Sequence, residues 1–142
     1  MAPTMASTST VNEVRVPVAS SSDVVVARDR ARGLSARAGL SGTDSALVAT
    51  AVSELARNIV AYAGRGEMVL RLIEDEAEQG VDVIAVDAGP GIVDLELALQ
   101  NGYSTSGGLG LGLPGVRRLM DHFHIVSEPR KGTSVTIRKW RR

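Results

Sequence analysis

Cysteine is absent from all 142 residues, which excludes disulfides, thiolate catalysis and cysteine-ligated zinc and fits a reducing cytoplasm. Aromatic side chains make up only 3% of the chain, so the core has to be assembled from Val, Leu, Ile and Ala. Net charge is missing as well. Sixteen basic and sixteen acidic residues cancel, leaving no broad electrostatic footprint for nucleic acid or an anionic membrane. The basic end, Arg138 to Arg142, reads as a solvated strand end. No apolar run approaches the roughly 20 residues that span a bilayer. The opening MAPTMASTST lacks the basic and apolar regions of a secretory signal. Its Ser, Thr and Ala repetition predicts a disordered tail over residues 1–10, with a single domain over 11–142.

Glycine, by contrast, is concentrated. The stretch GYSTSGGLGLGLPG (Gly102 to Gly115) runs into VRRLMDHF (Val116 to Phe123), whose spacing is helical, with Pro114 at the first turn. Bare backbone N–H groups and the positive end of a helix dipole make such a loop a phosphate site. Leu109, Leu111 and Leu113 alternate with Gly108, Gly110 and Gly112, the mark of a packed loop rather than a polar linker.

Upstream, Val14, Val16 and Val18 alternate as in a half-buried strand, and Pro17 places it at a sheet edge. A helix is expected from Val24 to about Ala38, capped by Ser21, Ser22 or Asp23 and closed by Gly39, with Val26, Arg30 and Leu34 marking its rows. Ser41 to Asp44 cap a longer helix, Ala46 to about Ala63, whose stripe is Leu47, Ala51, Leu55, Ile59 and Tyr62. Glu67–Ile73 and Val81–Val86 read as a hairpin. Asp94 should cap a short helix, Leu95 to about Gln100. Phe123–Ser127 and Ser134–Trp140 form a second hairpin. Helices covering one face of a mixed, mostly antiparallel sheet give an α+β two-layer sandwich.

Several residues carry possible chemistry. Glu54 and Asn58, four apart on the long helix, share a face. An amide oxygen suits Mg²⁺ that rides on phosphates, and a carboxylate one turn away suits proton transfer from a hydroxyl; a solvated helix face is the plainer alternative. Asp87 ends a strand and is followed by Gly89 and Gly91, which let a flat ligand approach. It either accepts an exocyclic amine or satisfies its own turn. Thr133 is either an ordinary strand residue or a hydroxyl near the base. Ser104, Thr105 and Ser106 either donate to phosphate or to their own backbone. His122 and His124 read as structural. Arg117 and Arg118 read as a solvated face, with Arg57 a rival for a transition-state role. GxxxxGK[ST] is absent, and the GxGxxG at Gly110, Gly112 and Gly115 follows no strand.

Together SELARNI (Ser53 to Ile59), DAGPGI (Asp87 to Ile92), GLGLGL (Gly108 to Leu113) and GTSVTI (Gly132 to Ile137) resemble, in order, the motifs of the GHKL (Bergerat-fold) ATPase and kinase superfamily. SELARNIVAYAGRGE and the glycine stretch are most similar to its switch serine/threonine kinases of bacterial stress signalling. The resemblance implies ATP and Mg²⁺ as cofactors, with Glu54 as general base and Asn58 as the metal ligand. It implies Asp87 and Thr133 as adenine readers, Gly89 and Gly91 in the base pocket, and Ser104, Thr105, Gly107, Gly108, Leu109, Gly110, Leu111 and Gly112 around the phosphates. Leu111 departs from the family, where alanine is frequent. STAS-domain antagonist and scaffold proteins are the implied substrates and a PP2C-type phosphatase the implied partner, with neither nucleic acid nor membrane. Only about fifteen residues separate Ile92 from Gly108, too few for a long lid, and no transducer domain is expected. An anti-sigma binding module of the same fold is the alternative, and a nucleotide sensor without transferase activity a third.

Overall fold

The computed structural model describes residues 8–92, 99–100 and 112–142. Strand β1 (Ser9–Val18) is followed by helices α1 (Ser21–Arg37) and α2 (Gly42–Asn58), the latter continuing as a π-helical turn over Ile59–Ala63. The hairpin β2 (Gly66–Glu74) and β3 (Gln79–Asp87) comes next, then helix α3 (Gly112–Leu119) and the hairpin β4 (His122–Glu128) and β5 (Gly132–Trp140). The five strands form one sheet in the order β1-β2-β3-β5-β4. Among the described residues every pairing is antiparallel, and the expected α+β sandwich is found.

Pro17 lies opposite Glu67 on the edge strand β1, where its missing donor costs no interior ladder bond. Ser9 and Thr10, expected in the tail, instead pair with Glu74 and Ile73. In α1 the buried row is Val24, Ala27, Ala31 and Leu34. Val26 is exposed, so the stripe expected through Val26 and Arg30 is displaced by the 3.6-residue period counted from Val24. Asp23 accepts the backbone N–H of Ala19 at 2.8 Å, and Gly39 closes the helix with φ 82, a conformation that suits glycine. Ser41 caps α2 by accepting the Asp44 N–H at 3.0 Å, as expected.

Between the sheet and the helices, Leu55, Met68, Leu70, Ile137 and Val116 are buried almost completely. Aliphatic burial of this kind, worth about 1.5–3 kcal/mol per side chain, holds the layers together. No aromatic side chain is fully buried among the described residues.

Helix α3 stops at Leu119 rather than reaching Phe123. The Asp121 N–H donates to the Arg138 carbonyl at 2.9 Å, and the Asp121 carboxylate accepts the Trp140 N–H at 2.8 Å. Strand β5 thus captures the chain before another helical turn can form. The Lys139 ammonium, buried, donates to the Leu119 carbonyl at 2.8 Å, one of the carbonyls a helix C-terminus leaves over. Arg138 pairs with Asp82 at 3.1 Å and stacks on Trp140 at 5.6 Å, so the basic terminus is partly packed rather than solvated. The expected helix starting at Asp94 lies outside the described residues apart from Leu99 and Gln100, which are in a turn. Among the described residues no helix is long and apolar enough to cross a membrane.

Candidate active site

A cavity of about 200 Å³ opens between the C-terminal half of α2 and the ends of β3 and β5. Its polar border is Asn58, Asp87 and Thr133; Leu55, Ile59, Ala85, Ile92 and Val135 supply apolar wall, with Tyr62 and Leu113 at its sides. An apolar cavity of ~150 Å³ holds one benzene ring, so this one has room for a single planar base.

Asp87 is the last residue of β3, and its backbone pairs with Thr133 on β5 and Gly66 on β2. Both flanks of the aspartate are kept bare. A Cβ on Gly66 would lie 2.9 Å from Ile59 Cγ2 and 3.1 Å from Asp87 Cβ, and Gly132, at φ 115, lies against the Asp87 carbonyl. Asp87 Oδ1 accepts the Gly89 N–H at 2.9 Å. Among the described residues Oδ2 takes no hydrogen bond, so the side chain both satisfies its own turn and keeps an acceptor for the cavity.

The loop after Asp87 is held from two sides. A Cβ on Gly89 would meet Ala63 Cβ at 2.6 Å, so that residue is small because the π-helical turn runs against it. Gly91 adopts φ 76, the left-handed region that favours glycine. The Arg130 N–H donates to the Pro90 carbonyl at 2.6 Å, and the Ile92 N–H donates to Ser127 Oγ at 2.7 Å. Ser127 Oγ also lies 2.8 Å from Thr133 Oγ1. Ser127, expected only as the end of a strand, and Gly66 carried no expected role at the site. The available signal for Ser127 was its place in the inward row Phe123, Ile125, Ser127, where a hydroxyl interrupts an apolar alternation.

On α2, Glu54 is 1% exposed, and its Oε1 is 3.6 Å from Arg57 Nη2. It lies one turn before Asn58 and does not itself border the cavity. The side-chain oxygen Oδ1 of Asn58 is buried and has no hydrogen-bond partner among the described residues. Tyr62, expected in the buried stripe, is 42% exposed and borders the cavity instead. The helix has become π-helical over Ile59–Ala63, a wider turn of the kind that occurs at functional sites.

Gly112, at φ 66, is buried at the start of α3; it does not border the cavity, whereas Leu113 does. Ser104, Thr105, Ser106, Gly107, Gly108, Leu109, Gly110 and Leu111 lie outside the described residues. His122 and His124 are exposed on alternate positions of β4, away from the inward row. Arg117 and Arg118 are exposed on α3, with Arg117 donating to the Leu99 carbonyl at 3.3 Å.

An acceptor, a hydroxyl and an apolar slot side by side suit a planar base that carries an exocyclic amine. Residues 18–139 match the histidine kinase-like ATPase domain. The chain is 46% identical over 120 residues to the serine/threonine-protein kinase RsbT of Bacillus subtilis, covering 84% of this chain and 90% of that protein. It is 36% identical over 98 residues to an anti-sigma F factor of Halalkalibacterium halodurans, covering 65% of this chain and 66% of that one. The crystal structure of the RsbU and RsbW domains of Rv1364c from Mycobacterium tuberculosis superimposes with a TM-score of 0.64 at 18% identity, over 93% of this chain and 34% of that one. That last likeness speaks to the fold alone. With this coverage, the chain belongs to the histidine kinase-like ATPase domain family and, within it, to the serine/threonine-protein kinases of the RsbT type.

Proposed function

We propose that this kinase transfers the γ-phosphoryl group of ATP to a serine or threonine of a STAS-domain antagonist or scaffold protein, in a cytoplasmic partner-switching module. Released from that scaffold, it activates a PP2C-type phosphatase. The observation that carries the reading is the cavity shared by Asn58 and Asp87, residues on different layers of the sandwich.

The residues present fit the nucleotide. Asp87 Oδ2 accepts a hydrogen bond from the exocyclic amine of adenine, and Gly89 and Gly91, lacking side chains, let the flat base approach the backbone closely. Asn58 Oδ1, buried without a partner among the described residues, fits a cation ligand, since such an orphaned acceptor otherwise costs about 1–3 kcal/mol. Mg²⁺, when bound, neutralises charge on the phosphate oxygens. Glu54, one turn away, takes the proton of the acceptor hydroxyl as its oxygen bonds to the γ-phosphorus and the bond to the ADP oxygen breaks. In this reading Gly108, Gly110 and Gly112 cradle the phosphates, and Ser104, Thr105, Gly107, Leu109 and Leu111 belong to the same nucleotide-binding stretch.

The test is incubation with labelled ATP, Mg²⁺ and a cognate STAS protein, with chelator as the control. Label on a serine or threonine is expected, and lost with chelator. An Asn58→Ala protein should need more Mg²⁺ for the same rate. Absence of transfer to any STAS partner removes the substrate assignment.

A second reading draws on the similarity to anti-sigma F factors: the same fold could sequester a sigma factor, with kinase activity on an anti-anti-sigma protein. Co-purification with a sigma factor rather than a phosphatase reverses the ranking.

A further inference from the structure

In the proposed mechanism Glu54 takes the proton, yet it does not border the cavity. Its side chain is 1% exposed, and its Oε1 lies 3.6 Å from Nη2 of Arg57, whose own side chain is 55% exposed. A helix turns about 100° per residue, so in projection Glu54 stands between Asn58, about 40° to one side, and Arg57, about 60° to the other. Asn58 borders the cavity and Arg57 does not. The nucleotide side of the carboxylate is therefore the Asn58 side, and its solvent side carries the guanidinium.

That guanidinium is free to move. At 3.6 Å the pair exceeds hydrogen-bond length, and an ion pair to a half-exposed arginine is weakly held. The long apolar stem lies along the helix surface and lets the head swing out without disturbing the backbone.

A base in this place faces a competitor to the protein hydroxyl. Water activated by Glu54 would bond its oxygen to the γ-phosphorus, give its proton to the carboxylate and release ADP and inorganic phosphate as the bond to the ADP oxygen breaks. ATP would be consumed without modifying a protein. A carboxylate that is 1% exposed is closed to that water.

We infer that Arg57 is a positioning residue for acceptor choice: it keeps Glu54 closed to water and gives way when a protein hydroxyl approaches, so that the γ-phosphoryl group goes to protein. The inference rests on the reading of Glu54 as general base.

The experiment follows labelled ATP with Mg²⁺ and the full chain, without acceptor and then with a STAS-domain protein. Wild type is compared with Arg57→Ala, Arg57→Lys, Glu54→Gln and the double variant Arg57→Ala/Glu54→Gln, with the melting temperature and ATP affinity of each. Without acceptor, wild type should release inorganic phosphate slowly and Arg57→Ala about 10-fold faster, a fraction of the 10²- to 10⁴-fold that a general base supplies. With acceptor, the ratio of inorganic phosphate to phosphoprotein should rise in Arg57→Ala. Arg57→Lys, which keeps a cation on a flexible stem, should return both readouts toward wild type. The double variant should lose the extra hydrolysis. Arg57→Gln, which keeps most of the stem, serves if the alanine variant does not fold. Unchanged hydrolysis in Arg57→Ala, or extra hydrolysis retained in the double variant, overturns the inference. A parallel fall in hydrolysis and transfer would make Arg57 a transition-state ligand and overturn it too. Should Glu54→Gln by itself leave transfer intact, the base assignment fails, a result distinct from any change seen in the Arg57 variants.

Discussion

Asn58 on α2 and Asp87 at the end of β3 border one cavity; among the described residues the amide oxygen of the first is buried without a partner and the carboxylate of the second is bonded through one of its oxygens. Two polar groups brought to a common space from different layers, each with capacity left over, are what a ligand between them would use.

The carboxylate can be tested by itself. Asp87→Asn keeps the shape of the side chain and removes the charge that accepts from an amine. ATP binding by calorimetry should weaken about 10- to 100-fold, the range for a hydrogen bond to a charged group. Unchanged affinity would count heavily against adenine at this wall.

Glu54 separates chemistry from binding. Because it is buried, with Arg57 nearby, Glu54→Ala would combine loss of the carboxylate with a packing defect. Glu54→Gln is the cleaner change. Phosphoryl transfer should fall by about 10²- to 10⁴-fold, the usual weight of a general base, while nucleotide binding is kept. Full activity in that variant ends the assignment.

Two glycines predict opposite outcomes. Gly132 sits at φ 115 against the Asp87 backbone, so Gly132→Ala meets both a disfavoured conformation and overpacking, a cost of about 2–4 kcal/mol. Gly33 is an exposed residue inside α1 with nothing within 4 Å of a new Cβ. Gly33→Ala should stabilise by about 0.5–1 kcal/mol through helix propensity. Thermal melts that move both variants in the same direction would contradict the backbone described for one of them.

Acid behaviour should reflect the exposed pairs on β1 and β2. The Glu13 carboxyl is held below its ordinary 4.5, first by the hydrogen bond from Arg71 and then by that from Arg15. A carboxyl whose pKa is depressed by folding adds stability above its unfolded value and loses it as pH falls through the folded one. Urea melts should therefore show wild type and Glu13→Gln converging as the pH drops below about 4.5, with a smaller gap in high salt. A gap that grows on acidification would reverse the sign of the interaction.

The ladder of strands was largely legible beforehand because hairpins announce themselves by alternation and turn residues. Asp75 accepting the N–H groups of Ala77 and Glu78, both at 2.8 Å, is such a turn. The misread elements were those whose limits depend on distant partners. Nothing in VRRLMDHF indicates that Asp121 will be claimed by Arg138 and Trp140. Nothing in the helical spacing of Tyr62 reveals that the helix widens into a π turn there and leaves the ring beside the cavity.

By itself the order of residues determined the aliphatic core, the edge position of Pro17, the caps at Ser41 and Gly39, and the fact that Glu54 and Asn58 share one side of a helix. These follow from local rules, since propensity, periodicity and the absence of a Cβ act within a few residues. Tertiary structure alone decided that Asn58 and Asp87 border one space, that Gly66 and Gly132 clear both sides of the aspartate, and that Ser127 reaches Thr133. Those outcomes depend on strand register and layer packing, where the energy lies in contacts between residues far apart in the chain, and no short window of sequence carries that information.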